Sequence, residues 1–322
     1  MLVFFIVLGV LLALILACGA YVFATACCRK KEMPWLVEEE IKKTSYGKYY
    51  ECMADADRWL KDNNKRDIFI TADDGLALHG VWVPAKNPKG TILFAHGYRS
   101  TPLLDFGVAL PFYNELGFNV LVPDQRSHGK SEGKFITFGV KESKDMLRWI
   151  EYHNSNLSTL PIILSGMSMG ASTMLYLADE ALPKNVKGII ADCGFTSPKE
   201  ILSSVFKNVT HLPAGPFILA IDLFARLFAG FSLSQKDTRN TLKKNHLQVL
   251  MVHGESDDFV PCQMSKEGYA ACVGNKELFL VEKAGHGVSF LVKPDEYQNK
   301  LIKFLERILN QKEGTSNETN SR

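Results

Sequence analysis

The stretch "SGMSMG", residues 165 to 170, sets Ser168 between two glycines, directly after the apolar run "PIILS" and before the helix-compatible run "ASTMLYLADEAL". On a strand-to-helix corner this spacing lifts a hydroxyl clear of the chain, and the amide of the next residue, Met169, opens the helix as a free donor. A serine hydroxyl is a poor nucleophile at neutral pH and needs a base that is itself oriented by an acid. Downstream, "HGESDDFVP" supplies Asp257 and Asp258, and "KAGHG" supplies His286. The chain order of serine, acid, histidine suits nucleophilic acyl transfer. Asp257 fits the phrase HGxxDxxVP better, and the double aspartate leaves Asp258 as the alternative. A second donor for a developing oxyanion is expected from "AHGYRS", where Gly97 brings the backbone close and Tyr98 presents its amide. His96 precedes the serine and is read as a residue that orders this loop.

These residues must be held by a sheet. From "DIFITADDGLALHGVWVP" onward, short β-branched runs alternate with longer amphipathic stretches, the pattern of a mostly parallel sheet covered by helices. The strand candidates are "DIFITA", "ALHGVWV", "TILFAH", "NVLVPD", "PIILSG", "VKGIIAD", "LQVLMVH" and "ELFLVE", the first two joined as a hairpin by "DDG". In such sheets ligands bind beyond the carboxyl ends of the strands, where the polar, glycine-rich corners of this sequence are concentrated.

The motifs "FAHGYRST", "PDQRSHGKSEG", "SGMSMGA", "HGESDDFVP" and "AGHG", in that order over about residues 65 to 310, resemble the α/β-hydrolase superfamily. The similarity is to membrane-anchored bacterial serine hydrolases related to prolyl-oligopeptidase catalytic domains and small esterases. It implies an α/β-hydrolase fold of about eight mostly parallel strands with helices on both faces and a helical cap insertion. It further implies Ser168 as nucleophile, His286 as base, Asp257 as acid, the Tyr98 and Met169 amides as oxyanion hole, and Asp124, Arg126 and His128 as braces of the site floor. The activity implied is that of a serine hydrolase acting on small or lipophilic carboxylic esters without cofactor or metal. A thioesterase, a peptidase or a catalytically silent, membrane-tethered binding protein of the same fold are the alternatives. No propeller domain precedes the motifs, which counts against the peptidase.

Specificity is expected from the cap, about residues 196 to 240, whose "GPFILAIDLFARLFAGFSL" offers an apolar helical face. Phe224 and Phe228 are candidates to line an acyl pocket there.

The 322-residue chain carries 37 Lys+Arg against 35 Asp+Glu, a balance that gives no reason to expect a nucleic-acid partner. Its seven cysteines show no disulfide or metal spacing. Residues 1 to 28, "MLVFFIVLGVLLALILACGAYVFATACC", carry no charged side chain. As a helix the stretch reaches ~39 Å, more than a hydrocarbon core of about 30 Å, and predicts a single-pass membrane anchor. A cleaved signal peptide would show a basic start and a shorter apolar stretch. A lipoprotein cleavage site at Cys18 is opposed by Leu16 and the same missing basic start. Arg29, Lys30 and Lys31 follow the stretch, so the catalytic domain is expected on the cytoplasmic side. Residues 29 to 64 read as a helical neck, 65 to 311 as the catalytic domain and 312 to 322 as a disordered tail.

Overall fold

The computed structural model describes residues 1–30, 38–43 and 46–310. The expected tail, 312–322, lies outside the described residues. The apolar N-terminus forms one helix, α1 (Leu2–Cys27), in which Leu2 to Leu14 are exposed. Among the described residues it is the one helix long and apolar enough to cross a membrane. The described residues of the neck hold two helices, α2 (Glu38–Ile41) and α3 (Tyr50–Asp62), with a 3₁₀ turn at Gly47–Tyr49 between them. Met53, Ala56 and Leu60, spaced three and four residues apart, form the buried face of α3.

Strands β1 (Arg66–Thr71) and β2 (Ala77–Val83) pair as the expected hairpin, with Gly75 at φ 85° in the turn. The chain then alternates β3 (Gly90–Ala95), α4 (Pro102–Phe106), α5 (Ala109–Glu115), β4 (Phe118–Pro123), α6 (Glu142–Asn156), β5 (Ile162–Met167), α7 (Met169–Leu175) and β6 (Val186–Asp192). Between β6 and the next strand stand α8 (Pro198–Thr210), α9 (Gly215–Phe224) with a π-helical turn at Ala225–Ala229, and α10 (Thr238–Leu242). The chain closes with β7 (Gln248–Gly254), α11 (Cys262–Ala271), β8 (Lys276–Val281), α12 (Ser289–Val292) and α13 (Pro294–Asn310).

The eight strands form one sheet in the order β1-β2-β4-β3-β5-β6-β7-β8. β2 runs antiparallel to β1 and β4, and the rest are parallel. Strands β3, β4 and β5 are buried along their whole length, as parallel strands covered on both faces must be. Two apolar clusters fill the faces, one around Ile92, Phe94 and Phe304, the other around Leu93, Trp149 and Leu164.

A third cluster lies over the carboxyl ends of the strands and joins parts far apart in sequence. It takes Phe23 and Cys27 from α1, Met169 from α7, Ile201 and Phe206 from α8, and Ile218 and Ile221 from α9. Helices α1 and α9 meet where Gly19 faces Ala220; a Cβ built on Gly19 would fall 2.5 Å from the Ala220 Cβ. Past α1 the chain is tied down by backbone bonds, Ile136 N–H to Cys27 O at 2.7 Å and Arg29 N–H to Lys134 O at 2.9 Å. The Arg29 guanidinium adds bonds to the carbonyls of Ser131 (2.6 Å) and Gly129 (2.7 Å).

Candidate active site

β5 delivers Ser168 to the corner before α7, at φ 54° and ψ −116°. A positive φ on a residue with a side chain costs of order 1–3 kcal/mol and persists where packing fixes the corner. The flanking glycines supply that packing. A Cβ on Gly166 would lie 2.3 Å from the Gly170 carbonyl oxygen, and one on Gly170 would lie 1.8 Å from the Ala95 carbonyl oxygen. The G-x-S-x-G spacing therefore records two close backbone approaches on either side of the serine.

His286, in the loop after β8, places Nε2 at 2.9 Å from the Ser168 Oγ. Its Nδ1 lies 2.7 Å from Oδ2 of Asp257, in the loop after β7. With Nδ1–H donating to the carboxylate, Nε2 is left to accept from the serine hydroxyl. The Asp257 side chain is fully buried, and its Oδ1 accepts from the amides of Phe259 (2.9 Å) and Val260 (2.8 Å). Burial alone would raise its pKa. Hydrogen bonds with His253 and His286 and from the Val260 amide outweigh burial and hold the carboxyl well below the usual carboxylate range. Asp258 is exposed.

The loop after β3 lies against the serine: a Cβ on Gly97 would sit 3.4 Å from the Ser168 Cβ. Asp105 fixes this loop, accepting from the Gly97 amide and the Ser100 hydroxyl, each at 2.5 Å. Burial pushes its carboxyl up to about 6. The Tyr98 ring stacks on Phe138 at 5.3 Å, and its hydroxyl donates to the Ala26 carbonyl of α1 at 2.8 Å. Met169, the first residue of α7, has an amide without an intrahelical partner by helix geometry.

His96 and His128 are buried, and burial pushes His96 down to about 3. Nε2 of His96 accepts from the Gln125 amide, and that of His128 from the Arg99 amide, each at 3.0 Å. Asp124 pairs with His79 at 2.7 Å, while Arg126 forms charge-assisted bonds to Asp145 and Asp74.

Beside Ser168 is an apolar cavity of ≈ 140 Å³. Tyr98, Phe138, Phe195 and Phe259 line it together with Ile201, Leu202 and Val205 of α8 and Ala26 of α1. Phe224 and Phe228 do not line it. They stack on one another and face Phe23 of α1, with ring centroids 6.3 and 6.1 Å from it. Ala220 and Phe224 of α9 are turned toward the N-terminal helix, which the sequence pattern alone does not reveal.

The ligand-type atoms of Cys193, Asp257 and His286 lie within 4.8 Å of one another. Both His286 nitrogens are engaged, and burial pushes the Cys193 thiol far up, so the group is poorly disposed to hold a metal ion.

A profile of the alpha/beta hydrolase fold family matches residues 90–213. The Pyrococcus furiosus esterase Pf2001 superposes with a TM-score of 0.63 at 25% identity, over 78% of this chain and 94% of that one. The chain has the α/β-hydrolase fold. Among its relatives, the uncharacterized protein YqkD of Bacillus subtilis is 26% identical over 245 residues, 76% of this chain and 80% of that one. The bifunctional esterase/perhydrolase DCH of Acinetobacter calcoaceticus is 26% identical over 267 residues, 68% of this chain and 93% of that one. Family and esterase neighbours together support a hydrolase.

Four residues at this site carry no sequence signal. Ala26 belongs to an apolar run, and Asp105 follows the loop it fixes by several residues. His253 sits in the HG pair before Asp257 and bonds to Ser265 Oγ (2.7 Å) and the Val260 carbonyl (3.0 Å). Tyr46 of the neck brings its hydroxyl under the histidine loop, where a Cβ on Gly287 would fall 2.3 Å from it.

Proposed function

We propose that the protein is a serine hydrolase that cleaves carboxylic esters through an acyl-serine intermediate, with Ser168 as nucleophile, His286 as base and Asp257 as acid. The observation that carries this reading is the hydrogen-bonded relay, 2.9 Å from Ser168 Oγ to His286 Nε2 and 2.7 Å from Nδ1 to Asp257. The hydroxyl attacks the ester carbonyl carbon as Nε2 takes its proton. The carbonyl oxygen gains the negative charge, which the Tyr98 and Met169 amides receive. Collapse of the tetrahedral adduct breaks the bond to the alcohol, which leaves with the proton from His286. Water, deprotonated by His286, then attacks the acyl-serine and releases the acid, restoring the serine. The apolar walls around Ser168 suit a lipophilic acyl group, and the basic flank of α1 favours the cytoplasmic face for the domain.

The test is fluorophosphonate labelling of the full chain together with p-nitrophenyl butyrate hydrolysis. Labelling is expected at Ser168, and Ser168→Ala and His286→Ala are expected to abolish it and lower turnover at least about 10⁴-fold. A folded protein that does not label and does not turn over the ester would overturn the reading in favour of a silent binding protein.

A further inference from the structure

Helix α1 and the cap present one continuous apolar surface. Along α9 and the turn after it, Leu219, Leu223, Leu227 and Phe228 are 72%, 44%, 66% and 61% exposed. The two charged residues of the stretch 215–229, Asp222 and Arg226, are paired with each other at 2.7 Å. Scattered exposed leucines need no explanation, but a contiguous stripe of this kind marks a surface that something apolar covers. The stripe adjoins α1. Ala220 stands between Leu219 and Ile221 and is in direct contact with Gly19, and Phe228 itself faces Phe23.

Helix length adds a second constraint. The exposed stretch of α1, Leu2–Leu14, rises ~20 Å at about 1.5 Å per residue. A hydrocarbon core of about 30 Å crossed by this helix therefore takes in part of the half docked on the cap. That half meets α9 at Gly19. A bilayer crossed by α1 thus reaches the exposed stripe of α9.

The third observation is chemical. Ala26, in the last turn of α1, lines the cavity beside Ser168 together with Ile201, Leu202 and Val205 of α8. One helix then has lipid on one side and the cavity on the other.

From these we infer that the cap face of α9 is seated in the bilayer beside α1, and that the substrate is an ester whose long acyl chain resides in that bilayer and reaches Ser168 between α1 and the cap. This rests on the ester hydrolysis proposed above. The inference assigns Leu219, Leu223, Leu227 and Phe228 to lipid contact and Ala26 to the wall along which the acyl chain passes.

The experiment uses the full chain in phosphatidylcholine vesicles with two esters, 4-methylumbelliferyl palmitate dissolved in the vesicles and the butyrate in water. The double variant Leu219→Glu, Leu223→Glu is expected to lower palmitate turnover tenfold or more and to change butyrate turnover less than twofold. Unchanged palmitate turnover overturns the inference. A parallel fall on both esters marks a damaged cap, and the decision then passes to a second measurement that needs no activity. Benzoylphenylalanine placed at position 223 of the otherwise unaltered protein is irradiated in vesicles of alkynyl phosphatidylcholine, with exposed position 306 as the comparison. Lipid adducts at 223 and none at 306 are expected. No lipid adduct at 223, or an adduct to a second copy of the chain in its place, overturns the inference. Failure of the unaltered protein to hydrolyse butyrate would instead sink the esterase reading and leave the crosslink to report on the surface alone.

Discussion

At Asp257 the carboxylate does more than meet a histidine. It accepts from two backbone amides and lies 3.1 Å from His253, so its ionised form is fixed in place before any proton moves. Replacing it by asparagine keeps the shape and removes the charge that would stabilise a protonated His286. Asp257→Asn is expected to lower kcat by about 10³- to 10⁴-fold with little change in KM, and Asp258→Asn to stay within twofold. Equal effects of the two substitutions on kcat would remove the acid role from Asp257. Ser168, Asp257 and His286 were legible because glycines and strand ends mark their positions in the sequence. Asp105, Tyr46 and Ala26 were not, because each reaches the site from an element whose own pattern speaks only of helix or loop. Phe224 and Phe228 show the converse: helical periodicity locates an apolar face, and the partner of that face is decided by tertiary packing.

Between elements, the decisive contact is that of α1 with α9 at Gly19. A side chain there meets Ala220 with no flexible atom to yield, so the helices must part. Gly19→Leu is expected to loosen the cap and speed its cleavage in limited proteolysis at least tenfold, while the sheet remains intact by circular dichroism. Unaltered cleavage of the cap would show that α9 is held by the rest of the domain alone. All eight strands could be read from the sequence, since short β-branched runs bounded by turn residues leave little ambiguity. The neck was harder. Its charged and apolar spacing reads as a helical neck, but α2 ends at Ile41 and a 3₁₀ turn opens at Gly47, where a Cβ would fall 2.6 Å from the Lys42 carbonyl oxygen. The break brings Tyr46 to the histidine loop, and nothing in local periodicity reports so distant a contact.

Over the whole molecule, the N-terminal helix is part of the folded unit. Phe23 and Cys27 are buried in the cluster that roofs the site, and Arg29 holds two carbonyls of the loop after β4. Removing these contacts costs roughly 3–5 kcal/mol by area and hydrogen-bond accounting. A chain starting at residue 34 is therefore expected to melt about 5–8 °C below the full chain in the same detergent. A difference under 2 °C would show that α1 is a mere appendage. The composition of residues 1 to 28 announces an apolar helix. That its last turns also belong to the domain is a tertiary fact, carried by Tyr98, Arg99 and Ile136 from far along the chain.

Arg29 and the Cys27 carbonyl pin the end of α1 to the loop after β4. A protein on a slack tether tumbles over its membrane and samples every bearing. Here the chain passes from the last turn of α1 into a backbone pairing with residues 134–136 within a single residue. If α1 lies in a bilayer, this pinning would hold Ser168 near one height above it, and under the ester reading proposed above, encounter with a substrate in the same leaflet becomes a search in two dimensions, by lateral diffusion.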